Sequence, residues 1–459
     1  MRLHRNVLLL FASLALLPQV VLGQPTLRLD ADPRLELLVS AVSEARLSEL
    51  VTALAAFGTR NTLSSTTSPT RGIGAALQWI FDELRRSSPR LQVSFDTHRV
   101  AKDGRITHDV ELRNVLAVLP GKSERRIYLT AHYDTVNTGG VGQIGANRTS
   151  GQPPADPQLR ADQDYDVDAP GANDNGSGTA LTIELARVLA TSGLQFDATI
   201  VFALWAGEEQ GLVGSRAHVQ QLATDPAIVE ANINNDIVGN SRGGNGVVDS
   251  ESVRLYSEGP EDSPSRSLAR YVGRVATLYV PSHRIRLMAR PDRFSRGSDH
   301  TAFTDHGYPG VAFREANENF TKQHSAVDTV DGVDVAYLAQ NARVNVVGLA
   351  ALALAPPAPV VTNDRGQAML GRQPSGYDAN LQWEASPGAI GYRVYWRDTW
   401  TNDWTHSRLV GNQTQFTLAG VAIDDHVFGV AAVGADGQES LISAYVERRV
   451  RRPEVKLLP

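Results

Sequence analysis

Thr199-Ile200-Val201-Phe202-Ala203-Leu204-Trp205-Ala206 is a continuous apolar run that leads directly into Gly207-Glu208-Glu209-Gln210-Gly211. A strand with one wet face alternates apolar and polar residues. A strand without that alternation is covered on both faces, which is the condition of central strands in an α/β sheet. Two adjacent carboxylates at the end of such a strand repel each other and are costly to desolvate. A bound cation removes that cost. Neighbouring residues of a regular strand face opposite ways, so a turn must present Glu208 and Glu209 differently. One can then bind metal while the other holds a water. Two solvated loop glutamates are the plainer reading of the pair alone.

Strand-like and helix-like runs alternate on either side of this segment. Periodicity predicts helical structure over Asp30–Phe57 and an amphipathic helix through Ile73, Leu77, Ile80, Phe81 and Leu84. Strands are expected at Leu91–Thr97, Val110–Leu119, Ile127–Ala131, Asn232–Asp236 and Gly310–Phe313. Helices are expected over Ala180–Leu189 and through Val335, Leu338, Ala342, Val346 and Leu349. This order predicts a three-layer α/β/α fold around a mostly parallel mixed sheet. Ligands in such folds bind beyond the carboxyl ends of the strands.

Chemistry-bearing residues fall, most of them, at those ends. They are His132, Asp174, Glu209, Asp236 and His324. Two imidazoles and three carboxylates suffice for two zinc ions if one carboxylate bridges them. Each residue alone has a bland reading. Asp174 in Asn173-Asp174-Asn175-Gly176-Ser177-Gly178 could cap a helix, and His324 could be a surface histidine. Asp134, two positions after His132, could accept the second imidazole N–H. Asp328 could support His324 or cap the following helix. Glu208 remains as a general base for metal-assisted hydrolysis. The absence of His-Glu-x-x-His excludes peptidases that carry both zinc histidines on one helix.

Composition narrows the rest. The 459 residues, 42% hydrophobic and 20% charged, describe a globular chain long enough for two or three domains. A net charge of −6 gives no footprint for nucleic acid, and the one basic cluster, Arg448, Arg449, Arg451 and Arg452, reads as a solvated edge and tail. With no cysteine, any metal must sit on histidine and carboxylate. Residues 1–23 have the basic, apolar and small-residue regions of a signal peptide, with an uncleaved anchor as the alternative. The mature chain is thus expected to be exported, periplasmic or secreted, without stable membrane insertion. The segment Gly139–Pro170 carries Asp162, Asp164, Asp166 and Asp168, alternate acids that could bind Ca2+, although a solvated loop explains them more simply.

Pro356-Pro357-Ala358-Pro359 ends the helical pattern, and short alternating strands follow, as in a small β-sandwich over 356–450 before a tail at 451–459. With Trp383, Tyr392–Tyr395 and Gly437-Gln438-Glu439-Ser440, this region resembles a fibronectin type III module. His426 stands where that family has its corner tyrosine. Such a module could bind a surface or polymer, or serve stability alone.

Ala131-His132-Tyr133-Asp134, Gly171–Gly178, Ala206–Leu212, Asn235-Asp236 and His324–Thr329 resemble, in order and context, the co-catalytic di-zinc aminopeptidase family, which also holds glutamate carboxypeptidases and glutaminyl cyclases. The resemblance runs over Val51–Leu354, within a peptidase domain of 24–355. It implies one zinc on His132 and Asp236, a second on Glu209 and His324, and Asp174 bridging them through a segment with a cis peptide to Asn175. Manganese or cobalt could replace zinc. It implies Glu208 as general base, Asp134 as support for His132, and Ser298, Asp299 and His300 lining the substrate pocket. Many secreted members carry tyrosine before the last histidine. Here Gln323 stands there, so His300 or a backbone amide would have to stabilise the oxyanion. The implied activity is release of N-terminal residues from peptides, with carboxypeptidase and glutaminyl cyclase as alternatives inside the family. Outside it stand an inactive peptide-binding protein and a serine hydrolase built on Gly239-Asn240-Ser241-Arg242-Gly243. The glycines after Ser241 oppose the helix that the latter requires.

Overall fold

The computed structural model describes residues 31–138, 165–222, 224, 228–373 and 375–446. The signal-peptide segment, Asp162 and Asp164, the arginine cluster and the tail lie outside the described residues. Of the remaining acids proposed for calcium, Asp168 pairs with Arg71 at 2.7 Å, and the Asp166 carbonyl accepts from the same guanidinium.

The helices are α1 (Pro33–Ala41), α2 (Glu44–Ala55), α3 (Gly72–Ser87), α4 (Gly176–Thr191), α5 (Val213–Leu222), α6 (Pro264–Tyr279), α7 (His300–Thr304) and α8 (Val335–Leu354). The expected helix over Asp30–Phe57 is two helices. The break falls where the Ser43 side chain accepts the N–H of Arg46 and starts α2 anew.

The strands of the main sheet are β1 (Gln92–Val100), β2 (Val110–Leu119), β3 (Arg125–His132), β4 (Thr199–Trp205), β5 (Ile228–Asn235), β6 (Ser252–Ser257), β7 (Arg284–Met288) and β8 (Gly310–Glu315). Their order is β1-β2-β4-β3-β5-β8-β6-β7. The pairs β4–β3, β3–β5, β5–β8 and β6–β7 are parallel, whereas β1–β2, β2–β4 and β8–β6 are antiparallel.

Strand β4 is buried on both faces, as its composition requires. Ile200, Phe202 and Leu204 join the large core under α1–α4, α6 and α8. Val201, Ala203 and Trp205 join a smaller core with Val219 and Leu222 of α5 and Ala302 and Phe303 of α7. The layers are therefore α/β/α.

After α8 come β9 (Leu370–Arg372), β10 (Asp378–Gln382), β11 (Gly391–Asp398), β12 (His406–Gly411), β13 (Gln415–Ala422), β14 (His426–Val433) and β15 (Ser443–Ala444). They form two antiparallel sheets, β13-β10-β9 and β12-β11-β14-β15, which share one core: Ala379 and Leu381 from the first, Val394, Phe428 and Val430 from the second, and Trp383 beside β10. The His426 ring bonds back to the Ala422 carbonyl at 2.9 Å, as a corner tyrosine would. This part is packed against the main body. Arg397 reaches Asp262 at 2.6 Å, and Arg274 reaches the Tyr395 hydroxyl at 3.0 Å.

Candidate metal centre

The parallel strands β3, β4 and β5 end side by side, and the residues beyond them converge. His132 is the last residue of β3. Its Nδ1 lies 3.1 Å from the Asp134 carbonyl, which directs Nε2 toward Asp174 Oδ1 at 3.5 Å and Asp236 Oδ1 at 3.4 Å. The other oxygen of Asp174 lies 3.0 Å from His324 Nε2, and Glu209 Oε2 lies 3.3 Å from that same nitrogen. Among the described residues three triplets could each hold an ion: His132–Asp174–Asp236, Asp174–Glu209–His324 and His132–Glu208–Glu209; Asp174 belongs to the first two. The Asp174–Asn175 peptide is cis.

Asp174 is free for this position because Asn175, not Asp174, caps α4 by accepting the N–H of Gly178 at 2.9 Å. Gly178 has to be glycine. A Cβ there would meet the Asn235 carbonyl at 2.3 Å and Asn175 Oδ1 at 2.5 Å.

The turn after β4 separates the two glutamates. Gly207 adopts φ 75, and its N–H is held by Thr62 Oγ1 at 3.0 Å. The N–H groups of Glu208 and Glu209 both donate to the Asp134 carboxylate at 3.2 Å. Asp134 thus does more than the expected support of His132. Its carbonyl orients the ring, whereas its carboxylate, 3.6 Å from Nδ1, shapes the glutamate turn. Asp328 supports neither His324 nor a helix, contrary to expectation. It accepts the N–H groups of Asn173 and Asp174 at 3.1 and 2.8 Å.

Backbone strain sits beside two of the converging residues. Ile237, after Asp236, has φ 58, and His324 has φ 55, left-handed values that cost a β-branched or bulky residue about 1–3 kcal/mol each.

The expected pocket residues lie beneath the centre instead of lining its mouth. Ser298, Asp299 and His300 are at most 2% exposed. Ser298 Oγ donates to Asp236 Oδ2 at 2.6 Å. His300 Nε2 is taken by the Pro291 carbonyl at 3.0 Å, so it is not placed to stabilise an oxyanion. Burial pushes Asp299 up to about 7, with His132 and Ser215 opposing. Ser241 donates to Asp334 Oδ2 at 2.7 Å, and Asp334 caps α8, which leaves no triad for a serine nucleophile.

Two supporting arginines escaped the sequence reading. Arg314, fully buried, bonds Asp236 Oδ2 at 2.5 Å and Asp292 at 3.0 Å. Arg60, also fully buried, donates to the carbonyls of Leu54, Tyr133, Pro170 and Gly171 at 2.6–2.9 Å. Burial lowers its pKa to about 10, opposed by Asp328, Asp134 and Asp174.

The electrostatics fit a cation. Burial pushes Glu209 up to about 7; His324 opposes the shift and Asp174 adds to it. Burial likewise holds Glu208 well above the usual carboxylate range, where His132 opposes the shift and Asp236 and Glu209 strengthen it. Burial disfavours charge on His324, yet Glu209 and Asp174 raise it to about 9. Glu209 Oε1 and Asp236 Oδ1 are buried and make no hydrogen bond among the described residues. Such oxygens are costly unless a ligand satisfies them.

Fold and site together define a three-layer α/β/α scaffold with a carboxylate–histidine cluster able to hold metal. The Peptidase family M28 model matches residues 114–347, just over half of the chain. A probable zinc metalloprotease of Pyricularia oryzae is 36% identical over 453 residues, covering 90% of this chain and 84% of that protein. One of Leptosphaeria maculans is 34% identical, covering 91% and 98%. The chain belongs to peptidase family M28. Among solved structures, the Legionella pneumophila LapA aminopeptidase superposes with a TM-score of 0.52 at 19% identity over 73% of this chain and 78% of that one. Porphyromonas gingivalis glutaminyl cyclase does so with 0.51 at 20% identity, over 67% and 98%. At these identities the likeness is one of fold.

Proposed function

We propose that the protein is an exported zinc aminopeptidase that removes N-terminal residues from peptides. The observation that carries this reading is the shared position of Asp174, one oxygen toward His132 and the other toward His324. Zinc accords with the names of the M28 relatives and with the nitrogen–oxygen donor set. His132 and Asp236 would hold one ion, Glu209 and His324 the other, and Asp174 both. Export rests on the basic-then-apolar amino-terminal sequence.

When bound, zinc supplies Lewis acidity toward the scissile carbonyl and toward water. The chain's own residues do the rest. Glu208 is partly exposed; burial, with Asp236 and Glu209 and against His132, raises its proton affinity, so in its ionised form it can take a proton from the attacking water and return it to the leaving amine. Asp134 fixes the glutamate turn by both N–H groups, which keeps Glu208 over the centre while Glu209 points into it. Ser298 and Arg314 hold one oxygen of Asp236 and leave the other facing His132.

The test is turnover of leucyl-p-nitroanilide and its N-acetyl counterpart. Wild type should cleave only the free-amine substrate, and Glu208→Gln should lose about 100-fold or more in kcat, in line with loss of a general base. Equal cleavage of the N-acetyl compound would overturn the aminopeptidase reading. Full activity of Glu208→Gln would overturn the mechanism.

A further inference from the structure

Beside the centre lies a buried array of charge of which the proposed reaction uses only Asp236 and Arg314. Among the described residues, Arg254, Arg293, Arg296 and Arg314 pair with three carboxylates, Asp236, Asp292 and Glu318. Glu318 alone serves three of the guanidiniums: Arg254 at 2.6 Å, Arg293 at 2.7 Å and Arg296 at 3.1 Å. On the proposed function, Asp236 also gives its charge to a metal, so the cationic surplus grows. A buried surplus charge is costly unless an anion meets it.

The surplus falls on Arg296. Arg254, Arg293 and Arg314 each reach a carboxylate at 2.7 Å or less, with side chains 17%, 8% and 0% exposed. Arg296 makes the longest contact to Glu318, and its other bonds, to Gln323 Oε1, are 3.3 and 3.4 Å. Its side chain is 24% exposed. The guanidinium lies 5.6 Å from the ring of Phe320, itself 42% exposed.

Its position ties it to the centre. Two residues later, Ser298 grips Asp236, and Gln323 immediately precedes His324. Its charge is felt at both Asp174 and His324. A planar guanidinium at a site mouth recognises a carboxylate through paired N–H donors.

We propose that Arg296 is an anion-binding group at the mouth of the centre and takes a carboxylate of the peptide substrate. The carboxylate can be the free C-terminus of a dipeptide or an acidic side chain after the scissile bond. This rests on the peptidase reading, and its test separates the two.

Leucyl-glycine, leucyl-glycinamide and leucyl-glutamic acid α-amide (leucyl-isoglutamine), with its side-chain carboxylate free, would be compared on wild type, Arg296→Gln and Arg296→Lys, with KM and kcat resolved. Zinc content would be measured on each protein. Wild type should prefer a carboxylate-bearing peptide over the glycinamide by about 10-fold or more in KM, the size of one charge-assisted hydrogen-bond pair. Arg296→Gln should abolish that ratio at unchanged zinc content, and Arg296→Lys should keep part of it. Whichever acidic peptide wins identifies the carboxylate. Calorimetric binding of the same peptides to Glu208→Gln reads the preference without turnover. Acid-over-amide binding that disappears on adding Arg296→Gln, in a protein that cleaves none of these peptides, would sink the aminopeptidase reading and keep this one. No acid preference in wild type, or a preference untouched by Arg296→Gln, would overturn the role of Arg296.

Discussion

Ser298 Oγ donates to Oδ2 of Asp236 at 2.6 Å, and the opposite oxygen of that carboxylate faces His132 Nε2 at 3.4 Å. The serine therefore sets which oxygen is available to a metal. Ser298→Ala should lower zinc affinity by about 10–100-fold, as loss of such outer partners does. Ser298→Thr should recover part of it. Chelator competition measures both, and an unchanged affinity in Ser298→Ala would show that Arg314 alone orients Asp236.

Arg60 joins segments that are far apart in sequence. Its guanidinium holds the Tyr133 carbonyl between His132 and Asp134, and the Pro170 and Gly171 carbonyls just before Asp174. Arg60→Met would remove the side-chain donor from four carbonyls, of which only that of Gly171 keeps a partner among the described residues, the Gly176 N–H, and remove a positive charge from among Asp328, Asp134 and Asp174. A loss of about 3–5 kcal/mol is expected from breaking such a network. Urea denaturation of the metal-free protein reads it. A change below about 1 kcal/mol would mean that water replaces the guanidinium.

Zinc binding should expel protons. Burial disfavours a charged His324, but Glu209 and Asp174 more than offset this and hold it protonated up to about pH 9 without metal. A zinc ligand must be neutral imidazole, so the metal-free state carries the extra proton. Raising the pH removes that competitor. Apparent zinc affinity should rise between pH 7 and 9, by up to about 10-fold per unit for one proton, and level off above that range. Calorimetry in buffers of different ionisation enthalpy counts the protons. Zinc uptake without proton release at pH 7 would contradict this.

Gly178→Ala should disturb the centre from the helix side. The added methyl would strike the Asn235 carbonyl and Asn175 Oδ1, neither of which can retreat without moving Asp236 or Asp174. A loss of about 1–3 kcal/mol in thermal stability is the expected cost of overpacking. Tolerance of alanine with unchanged zinc content would show that α4 can shift along β5.

The central strand and the five converging side chains were legible because burial on both faces and chemistry at strand ends both leave marks in sequence. The even and odd residues of β4 enter separate cores, as a run without alternation requires. The region 252–288 was not read. The edge strand β7 is Arg284-Ile285-Arg286-Leu287-Met288, half-exposed and rich in arginine, and it carries little β signal. Arg60 was invisible for a different reason. Its partners are main-chain carbonyls, which no pattern of side chains announces. Ser298-Asp299-His300 was found but misplaced, because proximity in a motif does not tell which side of a metal ligand a residue occupies.

The most direct test is an anomalous-difference map at the zinc edge from crystals of the zinc-loaded protein. The account predicts two peaks, one beside His132 and Asp236 and one beside Glu209 and His324, with a different oxygen of Asp174 at each. A single peak, or two peaks not joined by Asp174, would contradict it.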